Sequence, residues 1–531
     1  MKSIRTLVFA AGALAALGLS SPARAQQGAE AQAPTDARLV GLDAYIEKAM
    51  KDWEVPGLAL AIVKNDSVIY ARGYGVRELG KPDPVTTRTI FAVGSTSKAF
   101  TAALMAMLVD SGKVKWDDHV TQYLPWFQLY DPYATREITI RDLLTHRSGL
   151  SRGDLLWFAS PLSRDSVVRA VRNLKPSWSF RSHFGYQNIM FVTAGQLEAA
   201  VAGENWDHLV RQRIFEPLGM SASVTSIHDL PRGGDVATPH EKVEDKVVPI
   251  AWRDIDNVGP AGSINSNVLD YARWVRFQLD DGVLPGGKRL ISRAAMREMH
   301  SPQMLIPITE EAEKLDPWSH FSAYGFGWFL LDYRGSEIIH HGGNIDGFSA
   351  EVDLVPEQKL GIVILTNMNG TALRDALPYA IYDRFLGVKD GKDWSAAYLE
   401  QRKKMLARAD SMKARVEAAH VKGTKPSLTL DKYAGLYADT LYGSLTVSLE
   451  KDHLVVTRNA SFVADLEHWD YDNFRAVWRD HTLGKQFFTF QVDPMGKAEA
   501  VTVEELATFQ RVPDRGKATA AAGDAGSGGD R

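Results

Sequence analysis

Residues 94–109 read GSTSKAFTAALMAMLV. Ser95 and Lys98 form an S-x-x-K pair. Apolar residues then recur at helical spacing to Val109, with Gly112 as a stop. On a helix, positions i and i+3 share a face, so the Ser95 hydroxyl and the Lys98 amine can meet. A serine hydroxyl is a poor nucleophile without a base. Lysine becomes that base when burial or nearby positive potential destabilises its ammonium. The start of a helix supplies such potential and favours a developing oxyanion. The pair alone has low specificity. Gly94-Ser95 would also serve as a plain helix cap. A second copy, Ser448 to Lys451, lies in strand-like sequence, where i and i+3 point to opposite faces.

Outward from this segment, the strand signals fall at the two ends of a long helical middle. Gly57 to Val63 and Val68 to Gly73, separated by Lys64 to Ser67, read as a hairpin. The first run is apolar nearly throughout and predicts a strand covered on both faces. Phe348 to Leu354 and Leu360 to Thr366 read as a second hairpin. Between them, Leu197 to Val201 and Trp206 to Ile214 are among the helical patterns. One sheet built from both ends, with a helical insertion, is the economical architecture. Trp394 to Ala419 predicts a connecting helix, and Lys422 to Ser427 a short linker. From Leu430 to Val512 short alternating segments predict a separate all-β domain. The expected division is 1–25 export signal, 36–392 main domain, 393–427 connector, 428–512 β domain and 513–531 disordered tail.

Two further motifs carry chemistry. Tyr186-x-Asn188 offers a phenol, a base if a neighbouring cation removes its proton, and an amide that can orient a substrate or the lysine. Tyr471-x-Asn473 repeats the pattern inside the β domain, away from any helix-borne Ser-Lys pair. His341-Gly342-Gly343 precedes Asn344. Two glycines beside a strand permit close backbone approach, so a backbone N–H here can complete an oxyanion hole with the Ser95 N–H.

Ser95-x-x-Lys98, Tyr186-x-Asn188 and His341-x-Gly343 stand in the order and approximate spacing of the β-lactamase-related serine hydrolases. That family spans class C β-lactamases, D-stereospecific peptidases and esterases. The chain resembles it from about Ala44 to Leu386, including ITIRDLLTHRSGL (138–150), FEPLGM (215–220), Pro260 to Ser263, YGFGW (324–328) and VILTN (363–367). The resemblance implies an α/β, β-lactamase/transpeptidase-like antiparallel sheet flanked by helices. It implies Ser95 as nucleophile, shared base work for Lys98 and Tyr186, and Asn188, His341 and Gly343 at the site, with the Ser95 and Asn344 N–H groups holding the oxyanion. The C-terminal segment is similar to a lipocalin-like module, on KYAGLY (432–437) and LEHW (466–469).

The chain departs from the Lys-Thr-Gly of many β-lactamases and penicillin-binding proteins, with His341-Gly342-Gly343 in that place. An imidazole is mostly neutral at pH 7, and Gly342 lacks a hydroxyl. Anchoring of a β-lactam carboxylate is therefore weakened, unless Arg152 or Arg181 supplies it. An esterase or peptidase is the expectation, with a β-lactamase or D-alanyl-D-alanine carboxypeptidase as the alternative. A non-catalytic ligand sensor of the same fold is the reading from another class. Gly149 to Gly153 also matches G-x-S-x-G, which would make Ser151 the nucleophile if a buried strand preceded it and a helix followed. His340-His341 has no H-x-H or H-E-x-x-H partner, so neither a metal nor a cofactor is expected.

Composition narrows the context. The 531 residues are 45% hydrophobic and carry a formal net charge of -4, with no basic field for nucleic acid. Cysteine is absent, so there is no disulfide framework and no thiol nucleophile. Lys2 and Arg5, the short apolar run Leu7 to Leu19 and Ala23-Arg24-Ala25 read as a cleavable signal cut before Gln26. A periplasmic or secreted protein without a stable membrane anchor is expected, acting on a small-molecule or peptide substrate.

Overall fold

The computed structural model describes residues 36–389 and 391–513. The expected export signal, and all but Pro513 of the expected tail, lie outside them. The two predicted hairpins pair as expected, into one sheet. From edge to edge its strands run Ser67–Gly75, Gly57–Lys64, Leu360–Thr366, Phe348–Val355, Ser336–Ile345, Phe329–Tyr333, Ser322–Tyr324 and Met304–Leu305. Every neighbouring pair is antiparallel. The N-terminal strand Gly57–Lys64 joins the sheet through Leu360–Thr366, with Leu60 opposite Ile364 and Ile62 opposite Ile362.

This strand, one in from the sheet edge, is buried along almost all its length because both faces are covered. Leu58, Leu60 and Ile62 pack with residues of the helices Leu42–Asp52 and Leu373–Phe385. Ala59, Ala61 and Val63 face the helical layer inserted between the two hairpins. At the centre of that layer the helix Lys98–Asp110 is buried from Lys98 to Leu108. A helix apolar on all sides needs neighbours on all sides. Phe100 supplies one contact by stacking on Trp274, ring centroids 4.0 Å apart.

The helix Trp394–Ala419 follows, buried only at Trp394 and Ser395. Then comes a closed barrel of eight strands in chain order, from Gly435–Asp439 to Ala507–Arg511. Leu445, Val447, Leu454, Val456, Phe474 and Phe490 fill its interior, as the two-residue period of its strands requires. The barrel touches the main domain chiefly at Leu155 to Ala159, and Leu441 and Tyr442 of its first turn pack against the main-domain core. Arg458 donates to the Leu155 carbonyl (2.8 Å) and Asn459 to the Ala159 carbonyl (2.7 Å). Asn173 donates to the Thr440 carbonyl (3.0 Å), and Phe158 meets Phe462.

The main-domain core does not draw on the barrel sheet, so a chain ending at His420 is expected to keep a cooperative thermal melt. Loss of cooperativity in calorimetry of that truncated chain would show that the barrel is part of the same folding unit.

Candidate active site

The reactive segment begins with a tight turn. Gly94–Ser97 is a 3-10 turn that runs into the α-helix at Lys98, where the sequence predicts helix from Ser95 onward. In 3-10 geometry positions i and i+3 eclipse, which brings Lys98 directly over Ser95. Lys98 Nζ lies 3.0 Å from Ser95 Oγ, 2.8 Å from Asn188 Oδ1 and 2.8 Å from the Ala261 carbonyl. Lys98 is completely buried. Burial pushes its pKa well below the usual lysine value, and the Arg152 charge adds to this while Asp154 opposes it. A neutral amine has two N–H donors and one lone pair. The two carbonyl-type acceptors, Asn188 Oδ1 and Ala261 O, can take the two donors and leave the lone pair for the Ser95 hydroxyl.

Asn188 opens the helix Asn188–Ala202. Its Nδ2 donates to Asp154 Oδ1 (3.0 Å), which fixes Oδ1 toward the lysine. Asp154 also accepts from Arg152 Nε (2.5 Å) and Trp157 Nε1 (2.8 Å). Asn188 thus reaches the site through Lys98 instead of lining the cleft. Tyr186 lies over the same lysine, Nζ 4.8 Å from its ring centre. Burial raises its pKa above the usual phenol range, outweighing the hydrogen bond with Ser95 and the Arg152 charge that pull it down. The phenol therefore keeps its proton at neutral pH.

The strand Ser336–Ile345 forms the opposite wall. It passes so close to the reactive turn that a Cβ on Gly343 would stand 1.8 Å from the Val93 carbonyl oxygen and 3.2 Å from the Ser95 nitrogen. A Cβ on Gly94, whose φ is +55°, would meet the Asn344 nitrogen at 2.7 Å. Only glycine permits this approach, and it brings the backbone nitrogens of Ser95 and Asn344 to the same end of the cleft. The Asn344 side chain is held elsewhere, by Asn369, Ser349 and the Gly370 N–H. His341 Nδ1 faces the Gly342 carbonyl (2.7 Å) and Nε2 faces Tyr324 Oη (2.9 Å). A carbonyl only accepts, so Nδ1 carries the proton and Nε2 accepts from Tyr324. Burial holds the His341 pKa well below normal, so this imidazole is neutral.

These groups frame an open cleft of about 470 Å³ lined by Ser95, Arg152, Tyr186, His341, Asn344 and Arg374, among others. Several contributors escape a reading of motifs. His146, fully buried, packs on Tyr186 with ring centroids 4.2 Å apart and tilted, and accepts from the Gln187 N–H. Tyr324 pins His341, and Ala261 holds Lys98. His146, Ala261 and Tyr324 lie inside the family-like stretches 138–150, 260–263 and 324–328, which were their only signal. Asp154 and Arg374 had none. Arg181 is committed to Asp142 (2.7 Å) and does not line the cleft. Ser151 has neither a strand before it nor a helix after it: Leu150 makes a single bridge to Pro176, and a three-residue 3-10 turn begins at Asp154. Ser448 lies in a barrel strand and Lys451 in the turn after it.

The Beta-lactamase family profile matches residues 42–384. The chain belongs to the β-lactamase family. A second profile, described as a domain of unknown function (DUF3471), matches residues 419–514 and so takes in the barrel. The unguisins hydrolase of Aspergillus violaceofuscus is 30% identical over 88% of this chain and 85% of its own length. Penicillin-binding protein 4 of Amycolatopsis lactamdurans is 31% identical over 59% of this chain and 81% of its own. Among solved structures, the octameric penicillin-binding protein homologue from Pyrococcus abyssi superposes over 89% of this chain and 99% of its own, with a TM-score of 0.60 at 21% identity. A class C β-lactamase mutant covers 65% of this chain and 97% of its own (TM-score 0.55, 22% identity). Both share the fold.

Since the amine must be neutral to accept a proton, kcat/KM is expected to rise as pH rises through the lowered Lys98 pKa and then level off, well below pH 10.5. Arg152→Gln removes a charge that opposes protonation, so the acid limb should move to higher pH by about half a unit or more. Asp154→Asn removes the opposing charge and should move it lower. pH–rate profiles of the three proteins on one ester check both signs.

Proposed function

We propose that this β-lactamase-family serine hydrolase cleaves ester or amide bonds through an acyl-enzyme on Ser95, with esters and peptide-like amides preferred over β-lactams. The observation that carries the reading is the fully buried Lys98 amine 3.0 Å from Ser95 Oγ, with both of its N–H donors already placed.

In this mechanism Ser95 Oγ attacks the substrate carbonyl carbon as its proton passes to Lys98 Nζ. The oxygen of the tetrahedral intermediate accepts from the Ser95 and Asn344 N–H groups, and an oriented donor of this kind is worth about 3–4 kcal/mol. Tyr186, still a phenol, gives its proton to the departing oxygen or nitrogen and regains one from Lys98. Tyr186 therefore relays protons in its neutral form, in place of the phenolate base that a neighbouring cation would make of it. Water then attacks the acyl-enzyme by the same route in reverse, freeing the acid and Ser95. His146 keeps the Tyr186 ring in place from behind.

The substrate preference rests on how the cations of the cleft are occupied. His341 is neutral. Arg152 pairs with Asp154. Arg374 bonds the Gly343 and Ala350 carbonyls and pairs with Asp375. Each arginine's charge is thus already met by a carboxylate, which weakens the anchoring of a β-lactam carboxylate, and one lost charge-assisted hydrogen bond costs about 1.5–3 kcal/mol. The name of the fungal relative, which identifies it as a hydrolase of unguisins, supports a hydrolytic role outside β-lactam turnover.

A fluorophosphonate probe is expected to label Ser95, as located by peptide mass spectrometry. A label on Ser151 that survives in Ser95→Ala would overturn the assignment. Lys98→Arg and Tyr186→Phe should each lower turnover about a hundredfold or more, and the double variant should lose much less than the product of the two. On one preparation, kcat/KM for nitrophenyl butyrate should exceed that for nitrocefin at least about tenfold. Equal values would refute the substrate preference while leaving the Ser95 mechanism intact.

A further inference from the structure

Beside the reactive cleft lies a second cavity, of about 180 Å³, lined by His340, Glu351, Asp353, Asp375, Tyr382 and Tyr398, among others. His340 and Glu351 line both spaces, so the two adjoin. Strand register explains the gathering. His340 stands opposite Asp353, and Gly342 opposite Glu351, in the antiparallel pair Ser336–Ile345 and Phe348–Val355. Alternation therefore puts His340, Glu351 and Asp353 on one face of the sheet. Their donor atoms all lie within 4.8 Å of one another.

The polar bonding here is incomplete. Glu351 and Asp353 are each only 2% exposed. Glu351 Oε1 faces His340 Nδ1 at 3.0 Å, and Asp353 Oδ1 accepts from Tyr382. Glu351 Oε2 and Asp353 Oδ2 are buried without any hydrogen-bond partner. A carboxylate deprived of both water and a counter-charge is among the costliest groups to bury. The other charged groups in reach are Asp375 and Arg374, paired with each other at 3.4 Å. Arg374 Nη1 is spent on backbone carbonyls. That leaves three acidic side chains, Glu351, Asp353 and Asp375, against the single Arg374 guanidinium around one small cavity, an excess of two negative charges when all are ionised. A divalent cation balances them fully. One imidazole nitrogen and two carboxylate oxygens are a ligand set suited to zinc, which takes three protein donors and keeps a further position open.

We propose that His340, Glu351 and Asp353 form a divalent metal site of the zinc class, entered from the reactive cleft and separate from the Ser95 machinery. The antiparallel register of Ser336–Ile345 against Phe348–Val355 fixes its donors on sheet backbone. This rigidity is what a preformed metal site requires.

The test uses the full chain, stripped with a chelator, desalted and titrated with ZnCl2 by isothermal calorimetry. One equivalent is expected to bind at about micromolar affinity or tighter. Glu351→Gln and His340→Ala should each weaken it about a hundredfold or more. A surface cluster, His228, Asp254 and Asp256, is the other grouping of this kind among the described residues, and His228→Ala should leave the titration unchanged. A zinc-edge anomalous map of zinc-soaked wild-type crystals locates the ion without any variant. Density between His340, Glu351 and Asp353 supports the site. Absence of binding, density only at His228, or affinity unchanged in Glu351→Gln and His340→Ala overturns it.

Discussion

The arrangement depends on one costly act, the complete burial of a lysine amine. Sequestering an ammonium in the core would be prohibitive unless it gave up its proton. The fold makes the neutral form comfortable by placing two carbonyl-type oxygens at its N–H groups. The helix that carries Lys98 is accordingly surrounded by other elements, and the Asn188 helix, the Ala261 turn and the Tyr186 ring all converge on one nitrogen. Much of the inserted helical layer can be understood as the enclosure that keeps water away from this atom.

A second constraint comes from the sheet. The reactive turn and the strand Ser336–Ile345 approach so closely that no side chain fits at Gly343 or Gly94. The same contact that excludes a Cβ brings two backbone nitrogens together, so steric exclusion and oxyanion geometry are one feature. Gly327 repeats the device beneath the lysine: it has a φ of +76°, and a Cβ there would meet the Lys98 backbone carbonyl at 2.9 Å.

Much of this was legible in the chain. The two hairpins were visible because each strand is short, apolar and bounded by turn residues, and their union into one sheet followed from where they fall. The Ser95–Lys98 pair was visible because a covalent spacing of three suffices to bring the groups together. Helix type at Ser95 was not, since a 3-10 turn and an α-turn share the same local pattern. Nor were the roles of Asp154 and Arg374, which depend on contacts between segments far apart in sequence. The state of Tyr186 also escaped, because the outcome depends on how burial competes with nearby cations, and burial is a tertiary quantity. His340 lacked a ligand partner by linear spacing, and it acquires Glu351 and Asp353 only through the register of the neighbouring strand.

The barrel's grip on Leu155 to Ala159 ties it to the reaction in a way that its distance in sequence conceals. The segment it holds is continuous with Asp154, which orients Asn188, which in turn positions the Lys98 amine. Linkage runs both ways along such a chain. Any shift in the barrel's seating that moves Asp154 is transmitted through Asn188 to the Lys98 amine.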